Sequence, residues 1–141
     1  AFGKEICYNF DILSKLQRRK GGGRMQAVTK IYFLNDNGEK FFGEGPCRLL
    51  RLVEQTGSLR AAAAAMEMAY SKALKLVKNA ESALGFPLTQ RTVGGKDGGS
   101  STLTPEGRAF LERYEAYRDA CTAHNQGLLE DFVFREDGEN D

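Results

Sequence analysis

The stretch Thr92–Gly107, TVGGKDGGSSTLTPEG, sets Gly94, Gly95, Gly98 and Gly99 around Lys96 and follows them with small hydroxyl residues. Glycine amides beside a lysine can cradle a phosphate, so nucleotide chemistry is the first test. A P-loop needs G-x-x-x-x-G-K-[ST] between a strand and a helix. Here Gly95-Lys96 is followed by Asp97, the place five before Gly95 is Gln90, and no G-x-G-x-x-G occurs. An aspartate inside the loop would also repel phosphate. Cys121 and His124 have a C-x-x-H spacing, but two ligands are half of a zinc site at best. His124 is the only histidine, and no serine sits in a G-x-S-x-G elbow. No catalytic residue, metal site or cofactor is expected. The glycines read instead as a hairpin tip that touches something larger.

Such a tip needs elements to hold it. AVTKIYFL (27–34) is rich in β-branched and aromatic residues, NDNGE carries an Asn-Gly turn, and KFFGEG returns, which predicts a β-hairpin over 27–44. From Pro46 the period becomes helical. Pro46 suits a first helical position, Leu49, Leu50 and Val53 share a face, and Gly57 closes the helix. Ser58 caps a short second helix with Leu59, Ala62, Ala63 and Met66 on one side. The five alanines at 61–65 let two helices approach closely. A third helix runs from about Ala69 to Leu84 and ends at Gly85. Its apolar face is Tyr70, Ala73, Leu74, Val77, Ala80 and Leu84; its polar face is Ser71, Lys72, Lys75, Lys78, Asn79 and Ser82. Short strands at 88–93 and 102–104 flank the glycine loop, and Thr104-Pro105 opens a long last helix.

The expected class is therefore mainly α with small β-hairpins (α+β): a winged helix-turn-helix with a leading hairpin and a long C-terminal dimerisation helix. Its parts are a basic arm and glycine linker (1–26), the winged domain (27–104), the last helix (105–133) and an acidic tail (134–141). Net charge is +1, but it is unevenly spread: +4 over residues 1–24, −1 over 25–44, +4 over 45–104 and −6 over 105–141. A basic arm and basic middle suit a polyanion partner. No apolar run reaches the ~18–20 residues of a membrane span, no leader is evident, and three scattered cysteines make no disulfide framework. A cytoplasmic protein without a membrane partner is expected.

An α-helix fits the DNA major groove, so the third helix would present Lys72, Lys75, Asn79 and Ser82 to double-stranded DNA. Arg91 and Lys96, with backbone amides at Gly95 and Gly98, would contact phosphates beside it. Ser58, Arg60, Tyr70, Ser71 and Lys78 complete the candidate contacts. The other reading is a winged-helix protein-interaction module whose basic face is incidental.

GSLRAAAAAMEMAYSKALKLVKNAESALGFPL followed by QRTVGGKDGGSSTLTPEG resembles the N-terminal DNA-binding domain of ModE-type molybdate-responsive regulators, relatives of the LysR-type helix-turn-helix. The likeness spans about residues 27–118, and Leu103-Thr104 with Gly107 after the wing is its most specific part. It implies a sequence-specific transcriptional regulator, with Ser71 and Lys72 at recognition-helix positions and Arg91–Ser101 as the wing. The family usually has Ser where this chain has Ala69, so the recognition helix should lack its cap. It often has Trp in place of Leu74, which should loosen the core. The family binds its oxyanion in separate C-terminal domains, and 34 residues after Gly107 leave no room for them, so molybdate is not expected to bind this chain itself. Phe110, Tyr114, Tyr117, Cys121, His124 and Leu128, spaced 4, 3, 4, 3, 4, form a heptad stripe. Spacing alone allows packing on the same domain or on a second copy; the resemblance implies a homodimer reading an inverted repeat.

Overall fold

The computed structural model describes residues 25–92 and 100–134. The chain divides into two compact units, Lys30–Asp119 and Ala1–Thr29 with Ala120–Asp141. The basic arm through residue 24, the wing tip with Gly95, Lys96 and Gly98, and the acidic tail from residue 135 lie outside the described residues.

In the first unit, β1 (Phe33–Leu34) pairs antiparallel with β2 (Lys40–Phe42), Phe33 opposite Phe42 and Leu34 opposite Lys40 across an irregular register. The turn is built by Asn35, whose Oδ1 accepts from the N–H groups of Asn37 and Glu39 at 3.0 and 2.9 Å, and by Gly38 at φ 76°. The paired part is shorter than the expected 27–34 because its partner strand stops at Phe42. Gly43 already caps helix α1 (Glu44–Thr56). That helix starts two residues before Pro46. First-turn N–H groups have no intrahelical partner, so proline is tolerated anywhere in that turn.

Helix α2 (Leu59–Ala65) begins at Ser58, whose hydroxyl accepts from Ala61 N–H at 3.1 Å. Ala62 and Ala63 are fully buried and let α2 lie close against α1. The α2 exit is tight: Met68 N–H donates to Ala63 O and Glu67 N–H to Ala64 O, both at 3.0 Å, with Glu67 left-handed at φ 54°. A side chain in that region is strained, and glycine is the usual occupant after a helix. Glu67→Gly is expected to raise stability by about 0.5–1 kcal/mol, read as a higher urea midpoint. An unchanged or lower midpoint would mean that the turn is not strained.

Helix α3 (Tyr70–Leu84) starts at Ala69 with no side-chain cap bond, as expected, and ends at Gly85, φ 81°. Its buried stripe is narrower than the sequence reading: Ala73, Val77 and Ala80 are buried, whereas Leu74 is 37% exposed. Leu74 is thus corrected from core to surface, since it lies about 100° around the helix from Ala73. Strands β3 (Thr89–Arg91) and β4 (Ser101–Leu103) pair in register, Thr89 with Leu103 and Arg91 with Ser101. Ser101 N–H donates to Gly57 O at 2.7 Å and ties the wing to the α1–α2 turn.

Helix α4 (Pro105–Phe134) is launched by Thr104. The buried Thr104 hydroxyl donates to Pro87 O at 2.6 Å and accepts from Gly107 N–H at 2.9 Å. Its first half closes the core. Phe42, Leu49, Leu50, Val53, Leu88, Leu111 and Tyr114 are all under 2% exposed, each such side chain contributing about 1.5–3 kcal/mol by burial. Tyr114 sits edge-on to Phe33 and Phe42, and Phe110 edge-on to Phe42 at 4.8 Å. Of the six stripe positions, Tyr114 is therefore buried inside its own unit, and Phe110, half-buried, packs against the same cluster. Arg51 bridges Glu54 and Glu115, and Arg108 reaches Glu54 at 3.2 Å, pinning α4 to α1.

In the second unit, Asn125 Nδ2 donates to Thr29 Oγ1 at 2.6 Å and Gln126 Nε2 to Ala27 O at 3.2 Å. These bonds hold residues 27 and 29 along the end of α4. No helix among the described residues is long and apolar enough to cross a membrane.

Candidate nucleic-acid interface

Burial of Ala73, Val77 and Ala80 fixes which way α3 turns its other face. Ser71, Lys72, Lys75, Lys78, Asn79 and Ser82 are all exposed. Lys78 Nζ lies 3.9 Å from Glu81. Lys72, Lys75 and Arg91 take part in no ion pair among the described residues. At the uncapped start of α3 the Lys72 N–H donates to Ala69 O at 3.0 Å, and no side chain of Ala69 caps the first turn.

Between α3 and β3 runs a groove of about 340 Å³, lined by Tyr70, Leu74 and Lys78 on one side and Thr89, Gln90 and Arg91 on the other. Glu81 sets its floor: its carboxylate accepts from Leu88 N–H at 2.8 Å, fixing the α3–β3 connection. Arg60 of α2 stacks on the Tyr70 ring, 4.3 Å from guanidinium carbon to centroid. Such a contact is worth about 0.5–1 kcal/mol when exposed, and it holds a planar cation at the mouth of α3.

The sequence-predicted residues separate into groups. Tyr70, Lys78 and Arg91 meet in the groove, with Arg60 beside them. Ser71, Lys72 and Lys75 share the open face of the same helix. Ser58 uses its hydroxyl as the α2 cap. Asn79 and Ser82 line a different, polar concavity of about 480 Å³ with the hairpin tip residues Asn35, Asp36, Asn37 and Glu39. Leu74 and Gln90 were not among the predicted contacts. Gln90 had a readable signal, lying between Thr89 and Arg91 on a strand that must turn one face outward.

Burial holds two titratable groups of the core in their protonated forms. Burial first, then the Glu44 carboxylate, pushes the Tyr114 hydroxyl up to about 12. Burial first, then Glu115, pushes the Cys47 thiol up to about 11. A thiol so protonated is a poor nucleophile. Among the described residues no cluster of three His, Cys, Asp or Glu could hold a metal ion.

Residues 47–108 match the family described as bacterial regulatory helix-turn-helix protein, lysR family. Over 98 residues the chain is 31% identical to the molybdenum-pterin-binding protein MopB of Rhodobacter capsulatus, covering 70% of this chain and 36% of MopB. Over 69 residues it is 33% identical to the molybdenum transport protein ModE of Azotobacter vinelandii, covering 49% of this chain and 26% of ModE. The chain thus spans about a third of one relative and about a quarter of the other. A crystal structure of a CbnR DBD–DNA complex is similar at 26% identity, covering 59% of this chain and 87% of that chain, with a TM-score of 0.44.

Proposed function

We propose that this chain, whose residues 47–108 match the lysR family of bacterial regulatory helix-turn-helix proteins, binds double-stranded DNA in a sequence-specific way as a transcriptional regulator. The observation that carries the reading is the face of α3. Lys72 and Lys75 stand exposed on it, away from any ion pair among the described residues, and Arg91 faces the same helix across the groove. A helix about 10–12 Å across with its side chains enters a major groove about 12 Å wide. Arg60, Lys78 and Arg91 then meet phosphates on its rims, while Ser71 and Lys75 face base edges.

Two copies would read an inverted repeat, associating through exposed positions of α4 such as Tyr117 and Leu128, 54% and 55% exposed. Both relatives carry molybdenum in their names, and we assign the described residues of this chain no part in binding it.

The test selects genomic fragments bound by the wild type and measures their affinity as salt is raised. Each neutralised phosphate releases counterion, so log affinity should fall steeply and linearly with log salt. Lys72→Ala and Lys75→Ala should each weaken binding, and a lysine that contacts phosphate should lower the salt slope by about 1. Folding stability should stay within ~0.5 kcal/mol of wild type, as for most surface substitutions. Wild-type affinity from both variants would remove this helix from the interface.

A further inference from the structure

We infer that Leu74 reads a thymine, its side chain packing on the 5-methyl group in the major groove. The inference deepens the DNA-binding reading and rests on it. Leu74 is the only large apolar side chain exposed on α3. It lies one turn from Tyr70 and one from Lys78, and all three line the groove opposite Arg91.

A single exposed leucine elsewhere needs no explanation. This one is placed among cations that would draw a duplex against it. Lys72, Lys75 and Lys78 extend along the same helix, and Arg91 faces it from the wing strand. With Lys78 and Arg91 on phosphates, the helix side chain between them meets base edges, and an isobutyl group can bond to none of the edge donors or acceptors. The thymine methyl is the apolar group that the major groove offers. Leu74 would also exclude water from the neighbouring contacts of Lys78 and Gln90.

The experiment uses the full chain and a duplex selected by it, with each thymine in turn replaced by deoxyuridine, which removes only the 5-methyl group. In wild type, one position per half-site should lose about fourfold in affinity, the value of one buried methyl(ene) group. In Leu74→Ala that loss should vanish while the other positions behave as before, a double-substitution cycle that isolates the pair. Leu74→Gln, which keeps an exposed side chain of similar length, should lose the same methyl preference, and thermal melts of both variants verify the fold. No penalty at any thymine in wild type, or the same penalty in both variants, would overturn the inference while DNA binding stood. A wild type that binds no duplex specifically would overturn both, and that result is distinct.

Discussion

Gly107→Ala is expected to remove about 3 kcal/mol from the Lys30–Asp119 unit, the upper end for overpacking a filled site. The reason is backbone against backbone. A Cβ at Gly107 would be driven into the Leu88 carbonyl, far inside contact distance of its oxygen, carbon and Cα. No rotamer can relieve that overlap, because the neighbour is main chain. The same carbonyl accepts from Thr104 N–H at 3.0 Å, so moving it would break the bond that joins the wing to the start of α4. Against a total of about 5–15 kcal/mol for a small domain, this loss brings the unit close to unfolding and would scatter the geometry of α3 and β3. Gly127 is the control: on the same helix, an added Cβ meets nothing within 4 Å, and Gly127→Ala should gain up to about 1 kcal/mol from helix propensity. Urea unfolding of the two variants should move in opposite directions. Equal midpoints would show that the approach at Leu88 is not tight.

That close approach explains why Leu103-Thr104-Pro105-Glu106-Gly107 was the most informative part of the sequence. Four of the five answer separate demands: Leu103 fills the core, Thr104 caps α4, Pro105 suits the first helical position, and Gly107 admits the Leu88 carbonyl. The hairpin turn at Asn37-Gly38 and the closures at Gly57 and Gly85 were legible for the same kind of reason, because glycines are found left-handed at all three.

What was not legible depended on partners in space. Residues 27–34 read as one strand, but β pairing needs a neighbour, and Gly43 turns the neighbour into α1. Leu74 met the i, i+4 rule from Tyr70, yet the small residues Ala73 and Ala80 draw α3 so close that only a narrow stripe is covered. Among the predicted interface residues the charged face of α3 was readable from periodicity. Its groove with β3 was not, because it depends on Glu81 holding Leu88. Periodicity likewise identified the stripe from Phe110 to Leu128, but a heptad says that one side of a helix is covered and not by which chain.

Tyr114 separates those two meanings. Tyr114→Ala should destabilise the Lys30–Asp119 unit by about 3–5 kcal/mol, the range for removing a buried large aromatic, because the ring is 1% exposed and packs edge-on to Phe33 and Phe42 at 5.6 and 4.9 Å. Tyr114→Phe should lose about 1–3 kcal/mol, since the hydroxyl donates to Ile31 O at 2.7 Å and its loss leaves that carbonyl without this donor. The pH dependence identifies the hydroxyl independently. Its folded pKa of about 12 lies above its ordinary 10.0, so the folded state holds the proton more tightly. The stabilisation is fully present below pH 10 and is lost as pH rises from 10 toward 12. Cys47, raised from 9.0 to about 11, adds a limb of the same sign that begins one unit lower. Urea unfolding from pH 8 to 12 should therefore show alkaline weakening, and Tyr114→Phe should lack its upper part. Leu128→Ala should behave in the opposite way: it is 55% exposed, so it should leave the melting of that unit unchanged and weaken only self-association in sedimentation. If Tyr114→Ala instead kept wild-type stability and dissociated a dimer, the aromatic cluster would belong to an interface and α4 would have to leave its own core to form it.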